Sequence, residues 1–209
     1  MKILVTGCSS GLGRELIDNE KHEMFAHFRK LEKPSVNQLV GDINDEIFIE
    51  NFRNFLSFHS INVLVNNVAI YDKQPVTEMT RSEVALAINT NLLAPILLTQ
   101  AAITHFKELG GGLIVNINSL AGKQGSPGES IYSASKFGLR GFSSAIRYEV
   151  KDFGIHILDV YLGGMRTRMT KNRSDQDTLI DPSEAAAAIL KIVDDYKSLN
   201  ITELEIRKK

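Results

Sequence analysis

Short apolar runs and longer amphipathic segments alternate along the whole chain. The runs KILVT (2–6), EMFAHF (23–28), QLVG (38–41), NVLVNN (62–67), LIVNIN (113–118), IHILDVYL (155–162) and ITELEI (201–206) have the length of strands. Between them, segments 11–20, 45–58, 80–109, 131–152 and 182–196 repeat their apolar residues at helical spacing. Strands that alternate with helices build a parallel sheet, because each parallel connection needs a crossover and the crossover lays a helix on one face. The middle runs are apolar without interruption, as strands buried on both sides must be. The pattern therefore predicts an α/β fold: a doubly wound parallel sheet of about seven strands with helices on both faces. The stretch DPSEAAAAIL carries its own helix start, with Asp181 as N-cap, Pro182 at the first helical position and Glu184 in the first turn.

No repeat, low-complexity tract or interdomain linker breaks this alternation, and 209 residues fit a single domain, 1–209. With 43% apolar residues the chain can bury a large core. Its net charge of −1 argues against nucleic-acid or anionic-membrane partners, which call for concentrated basic charge. Cys8 is the single cysteine, which excludes an internal disulfide and points to a reducing compartment, the cytoplasm. The apolar start is too short for a signal peptide, and no run approaches the ~18 apolar residues of a membrane span. His22, His27, His59, His105 and His156 are scattered without metal-ligand spacing, so no metal is expected.

A doubly wound sheet binds its ligand at the carboxyl ends of the strands, where the strand order reverses. The loop after the first strand reads TGCSSGLGR. Gly7, Gly11 and Gly13 follow a G-x-x-x-G-x-G spacing and lead into a helix. Glycines let the backbone turn tightly against a pyrophosphate, and the free N–H groups at the helix start face the anion. Ser9 and Ser10 add hydroxyl donors, and Leu12 completes the loop. A mononucleotide P-loop needs Lys-Ser/Thr after its last glycine, a place held here by Leu12, Gly13 and Arg14. A dinucleotide is the better reading. The second strand ends HFRK, so Arg29 and Lys30 stand where an acidic residue would hold a ribose 2′-hydroxyl. Basic residues there suit a 2′-phosphate, and NADP(H) is expected over NAD(H).

In SIYSASKFGLR, Tyr132 and Lys136 lie one helical turn apart on one face, separated by small residues. Hydride delivered to a carbonyl carbon leaves an alkoxide, which needs a proton donor and hydrogen bonds that strengthen as charge develops. Tyr132 can donate the proton, and a nearby cation lowers a phenol's pKa from its ordinary value of about 10. The pair reads as an acid and the charge that tunes it. Ser119, closing the fifth strand, can hydrogen-bond the carbonyl oxygen.

Taken together, these motifs resemble the short-chain dehydrogenase/reductase family, over residues 2 to about 206. TGCSSGLG matches its glycine loop. GDIND (41–45), with Asp42 and Ile43, is similar to the segment whose Asp reaches the adenine. NNVAI (66–70) resembles its Asn-Asn-Ala-Gly stretch, with Asn66 in place and Val68 and Ala69 replacing Ala and Gly. NTNLLAP supplies Asn91, IVNINSLAG supplies Ser119, and YSASK supplies Tyr132 and Lys136, thirteen residues beyond Ser119 in the case of the tyrosine. After the sixth strand, Leu162 stands for the family's Pro, Gly163 for its Gly, and Thr167 falls at its Thr.

The resemblance implies a Rossmann fold and an oxidoreductase acting on a carbonyl/alcohol pair. The catalytic set would be Asn91, Ser119, Tyr132 and Lys136, with Asn91 holding a water that relays protons to Lys136. Lys136 would also contact the nicotinamide ribose, and Thr167 the nicotinamide amide. It further implies a homodimer paired through the helices around 80–109 and 131–152. The chain is shorter than is usual for the family, chiefly in the first helix and after strands six and seven, so the substrate is the least legible feature. A non-catalytic NADP(H)-binding sensor is the rival reading; it would need no tuned acid. A sugar-nucleotide epimerase or dehydratase would need a larger C-terminal region. The polar stretch 166–180 is expected to be a lid that orders only with cofactor.

Overall fold

The computed structural model describes residues 1–209. Seven strands form one wholly parallel sheet: β1 (Lys2–Val5), β2 (Glu23–Phe28), β3 (Gln38–Val40), β4 (Val63–Asn66), β5 (Gly112–Ser119), β6 (Ile155–Leu162) and β7 (Glu203–Ile206). Their order is β3-β2-β1-β4-β5-β6-β7, so the chain reverses its direction of travel between β1 and β4. The helices are α1 (Gly11–Ile17), α2 (Glu46–His59), α3 (Arg81–Ile88), α4 (Ala94–Leu109), α5 (Ser130–Val150) and α6 (Pro182–Asp195). All seven predicted strands and all five helical segments are present, and the sheet has the expected doubly wound form.

Alternate residues of the buried strands feed two cores. On one face Ile3, Val5, Val65, Val115 and Val160 pack against Leu16 of α1 and Ile189 and Val193 of α6. On the other, Leu4, Leu64 and Ile114 pack against Phe52 of α2, Leu98 and Phe106 of α4 and Ile146 of α5. Each fully buried Leu, Ile or Phe contributes about 1.5–3 kcal/mol. Asp181 caps α6 by accepting from the N–H of Ser183 at 3.0 Å, as its sequence predicts. Thr80 and Glu83 form a reciprocal capping box at the start of α3.

The predicted helix 80–109 is one run, Arg81–Leu109, with a π turn at Asn89–Leu93 between α3 and α4. Two expectations are corrected. That run is long and apolar enough to pass for a membrane span, contrary to the reading of the sequence. Leu98, Ala102 and Phe106 on its inner face belong to the core. The polar segment 166–180 is folded, with short turns at Arg168–Thr170 and Gln176–Thr178. Gln176 Nε2 donates to the carbonyls of Thr170 at 2.7 Å and Arg173 at 3.0 Å, and Met165 bridges to Ile180 in parallel. Its polar side chains bond one another, an internal source of order that composition does not reveal.

Candidate active site

At the carboxyl ends of the strands, around the β1/β4 reversal, the loops enclose a cleft of about 880 Å³. The glycine loop forms its floor. Gly7 and Gly11 have φ of 74° and 57°, a left-handed backbone that favours glycine. A Cβ on Gly13 would lie 2.3 Å from the Gly7 carbonyl oxygen, so this glycine lets α1 start flush against the loop; it packs behind the cleft and does not line it. Ser10 is the N-cap of α1 and makes no side-chain cap, which leaves the first-turn N–H groups without a capping partner. Ser9, Ser10, Gly11 and Leu12 all line the cleft.

The loop after β4 is stitched to this floor. Thr6 Oγ1 accepts from the N–H of Asn67 at 2.9 Å and of Val68 at 3.2 Å. Asn67 Nδ2 donates back to the carbonyls of Thr6 at 2.8 Å and Gly7 at 3.2 Å. Val68 lines the cleft as expected, but Asn66 does not. Its buried side chain donates to Thr99 Oγ1 at 3.1 Å and Asn116 Oδ1 at 2.9 Å. The expectation that Asn66 contacts the cofactor is corrected. As the last residue of β4 it projects toward the helices, and alternation turns its neighbour Asn67 to the ligand side.

At one end of the cleft stand Arg29, exposed at the tip of β2, and Asp42 and Ile43 after β3. At the other stand Ser119, Tyr132, Lys136, Gly163 and Thr167. Gly11 and Thr167 bring the two halves close: a Cβ on Gly11 would meet Thr167 Cγ2 at 3.2 Å. The glycine floor, the basic tip at one end and the titratable cluster at the other fit an elongated dinucleotide.

Ser119 ends β5, and its Oγ accepts from the N–H of Ala121 at 3.1 Å, turning the chain toward α5. Tyr132 and Lys136 sit on successive turns of α5, brought to Ser119 by the crossover. Lys136 is 3% exposed; its ammonium donates to the Ile117 carbonyl at 2.9 Å and lies 5.7 Å from the centre of the Tyr132 ring. Burial pushes Lys136 down to about 8, against the pull of Asp159. Burial pushes Tyr132 up to about 12; Ser119 opposes this by hydrogen bonding and Glu129 reinforces it by charge. The expected lowering of the Tyr132 pKa by Lys136 is thus not realised. Desolvation of the phenolate is the largest cause, and the ammonium is bonded to a carbonyl rather than to the phenol.

Asn91 sits in the π turn, 1% exposed, outside the cleft lining. Its Oδ1 accepts from the N–H of Ile70 and its Nδ2 donates to the Ile70 carbonyl, both at 2.8 Å. The side chain therefore clamps the loop after β4. Behind Lys136 runs a polar network unseen in the sequence: Asn116 Nδ2 donates to Ser143 Oγ at 2.9 Å, Ser143 to Asp159 Oδ1 at 2.8 Å, and Arg147 pairs with Asp159.

Sequence reasoning also missed His27, Asn67, Tyr71 and Glu129, which all line the cleft. Tyr71 donates to Glu129 Oε1 at 2.8 Å and sets its ring edge-on to Tyr132, 5.1 Å between centres. The Asn-Asn doublet was a usable signal for Asn67; nothing local distinguishes the others. Cys8 is a buried filler. Its Sγ donates to the Val5 carbonyl at 3.1 Å, and burial pushes the thiol up to about 12.

The model of the short chain dehydrogenase family matches residues 1–178. The chain is 30% identical over 212 aligned residues to a 3-ketodihydrosphingosine reductase of Bacteroides thetaiotaomicron, covering 98% of this chain and 77% of that one. It is 32% identical over 186 residues to the human 3-oxoacyl-[acyl-carrier-protein] reductase, covering 82% and 78% of the two chains. An alcohol dehydrogenase of the archaeon Thermococcus sibiricus, solved with 5-hydroxy-NADP, has the same fold, with a TM-score of 0.88, 19% identity and coverage of 100% and 97%. The chain belongs to the short-chain dehydrogenase/reductase family, oxidoreductases that act on CH–OH and C=O groups.

Proposed function

We propose that this protein interconverts a ketone or aldehyde and its alcohol with NADP(H), with Tyr132 as the general acid and base. The observation that carries the reading is the meeting of Ser119, Tyr132 and Lys136 at one end of a cleft whose floor is the glycine loop. NADP(H) would supply or accept the hydride. Ser9, Ser10, Gly11 and Leu12 would hold its pyrophosphate, Asp42 and Ile43 its adenine, and Arg29 its 2′-phosphate. Lys136, Val68, Gly163 and Thr167 would hold the nicotinamide end. Ser119 orients the carbonyl oxygen; Tyr132 gives that oxygen its proton in reduction and takes it back in oxidation. A phenol held near 12 is overwhelmingly protonated at neutral pH, which favours the donor role. Lys136 stabilises the phenolate left behind, as an ammonium close to a developing anion.

The archaeal relative's 5-hydroxy-NADP and the exposed Arg29 favour the phosphorylated cofactor. The substrate end is walled by Leu86, Met165 and Met169 beside Tyr71 and Glu129, which suits a ketone borne on an apolar chain. Two relatives, named for reducing 3-keto compounds, fit that class. A reducing, cytoplasmic setting suits the buried thiol of Cys8.

The test follows NADPH absorbance against a panel of β-keto esters and thioesters, aldehydes and simple ketones. Consumption of NADPH with a member of the panel is the expected result. A chain that bound NADPH and reduced none of them would be a sensor. A charge-assisted bond to a 2′-phosphate contributes about 1.5–3 kcal/mol, so NADPH should bind more than ~10-fold tighter than NADH, and Arg29→Ala should erase most of that margin.

A further inference from the structure

His27 is a buried histidine, 2% exposed, that the reaction does not use. It is the fifth residue of β2, and its ring reaches into the gap between two loops of the cleft. Nδ1 lies 3.2 Å from the N–H of Gly7, in the glycine loop. Nε2 lies 2.9 Å from the carbonyl of Gly41, next to Asp42. The ring rests on Phe48 of α2, 4.9 Å between centres. The two contacts fix the chemical form. A backbone N–H can only donate, so Nδ1 must be an unprotonated acceptor; a carbonyl can only accept, so Nε2 must carry the hydrogen. Only the neutral Nε2–H tautomer makes both bonds. The imidazolium would set an N–H against the N–H of Gly7.

We propose that His27 is a positioning residue for the cofactor, a neutral strut that fixes the glycine loop relative to the Gly41–Asp42 loop and so sets the spacing between pyrophosphate and adenine subsites. The inference rests on the reading that NADP(H) occupies this cleft. The backbone supports the same tie in parallel: the N–H of Cys8 donates to the His27 carbonyl at 2.9 Å, and the N–H of Gly41 to the Phe28 carbonyl at 3.1 Å. Both loops thus hang on the end of β2, and the imidazole is the side-chain link between them. Among the titratable groups around it, Asp42 favours the cation and the Cys8 thiol stays neutral. Arg29, two residues on, stands at the same end of the cleft; Gly7 and Phe48 bring no side-chain charge. Burial is the largest effect and holds the ring below the ordinary histidine pKa, so the strut is intact at neutral pH and weakens in acid.

The experiment compares wild type, His27→Phe and His27→Gln. Phenylalanine keeps a ring against Phe48 and loses both hydrogen bonds; glutamine keeps a neutral donor and acceptor that does not titrate. NADPH affinity is read by fluorescence from pH 5 to 8, together with KM for cofactor, KM for the carbonyl and kcat. His27→Phe should bind NADPH about tenfold more weakly at pH 7.5, with the loss in the cofactor KM rather than in kcat. His27→Gln should recover most of the affinity. The cofactor's own 2′-phosphate titrates near pH 6, so the acid-side loss of wild type must exceed that of His27→Gln for the strut to be its cause. Equal affinity of wild type and His27→Phe, or parallel acid limbs in wild type and His27→Gln, would overturn the inference. If wild type itself bound no NADPH, the cofactor reading would fail instead. Should His27→Phe not fold, nitrogen-resolved NMR of the wild-type imidazole decides: the Nε2–H tautomer, with a pKa lowered further by NADPH, is required. The Nδ1–H tautomer, or a pKa the cofactor does not move, would overturn it.

Discussion

The ammonium of Lys136 donates to the carbonyl of Ile117 at 2.9 Å and stands 5.7 Å from the ring centre of Tyr132. The lysine is anchored by its own bond to β5 and not by the phenol, although it stands close to the ring. Tyr132→Phe should therefore leave NADPH affinity nearly intact while turnover falls about 10²–10⁴-fold, the usual loss for a general acid. Retention of most of kcat in the variant would remove Tyr132 from the reaction.

The lowered pKa of Lys136, about 8, makes two pH effects of opposite sign. The rate of carbonyl reduction should fall as pH rises through about 8, because the charge that supports the phenolate is lost. Folding stability should rise over the span from about 8 to the ordinary lysine value of 10.5, because the unfolded chain binds the proton more tightly than the folded one there. Urea denaturation at pH 7.5 and 9.5 checks the second effect. Lys136→Met should flatten the difference, and an unchanged slope in that variant would assign it to another group.

Asp159 is fully buried, pushed up to about 6 by burial, and paired with Arg147 and Ser143. Arg147→Met would leave the carboxylate without its cation. Breaking a buried pair costs about 3–5 kcal/mol, and the cost should be largest at pH 8 and shrink at pH 5, where Asp159 takes up a proton. Chemical denaturation at the two pH values reads this directly; a loss independent of pH would mean that packing of the Arg147 stem, not the charge, matters.

The neighbours Asn66 and Asn67 should part company. Asn66→Ala removes the partner of Asn116 and Thr99 and should cost about 1–3 kcal/mol of stability, with little effect on NADPH affinity. Asn67→Ala frees the carbonyls of Thr6 and Gly7 and should weaken NADPH binding several-fold. Matched cofactor affinities in the two variants would contradict the assignment.

A homodimer remains our proposal for the outer face of the π turn, α4 and α5. Leu93 and Phe137 are 45% and 43% exposed there, and Leu92, Ile96 and Phe142 are only half-buried, whereas Leu139 and Ile146 are spent in the monomer's own core. A two-fold pairing would cover that face. Light scattering at micromolar concentration should give twice the chain mass, and Phe137→Glu should reduce it to one.

What the sequence determined by itself were the properties that live in local pattern. Short apolar runs placed the seven strands, and the middle ones are uninterrupted because a strand covered on both faces has no polar side to show. Gly7, Gly11 and Gly13 marked a phosphate cradle, because a left-handed turn and a close helix start admit little else. Tyr132 and Lys136 announced themselves because one helical turn separates them. Tertiary structure decided what depends on partners distant in the chain. Thr99 and Asn116 drew Asn66 into the interior, and Ile70 drew Asn91 away from the cleft. The Tyr132 pKa moved up where helical spacing alone suggested down, because desolvation depends on everything packed around the phenol, not on its neighbour in sequence. His27 read as one of five scattered histidines. Only the parallel pairing of β1, β2 and β3 carries Gly7 and Gly41 to either side of its ring, and a hydrogen bond is decided by that juxtaposition.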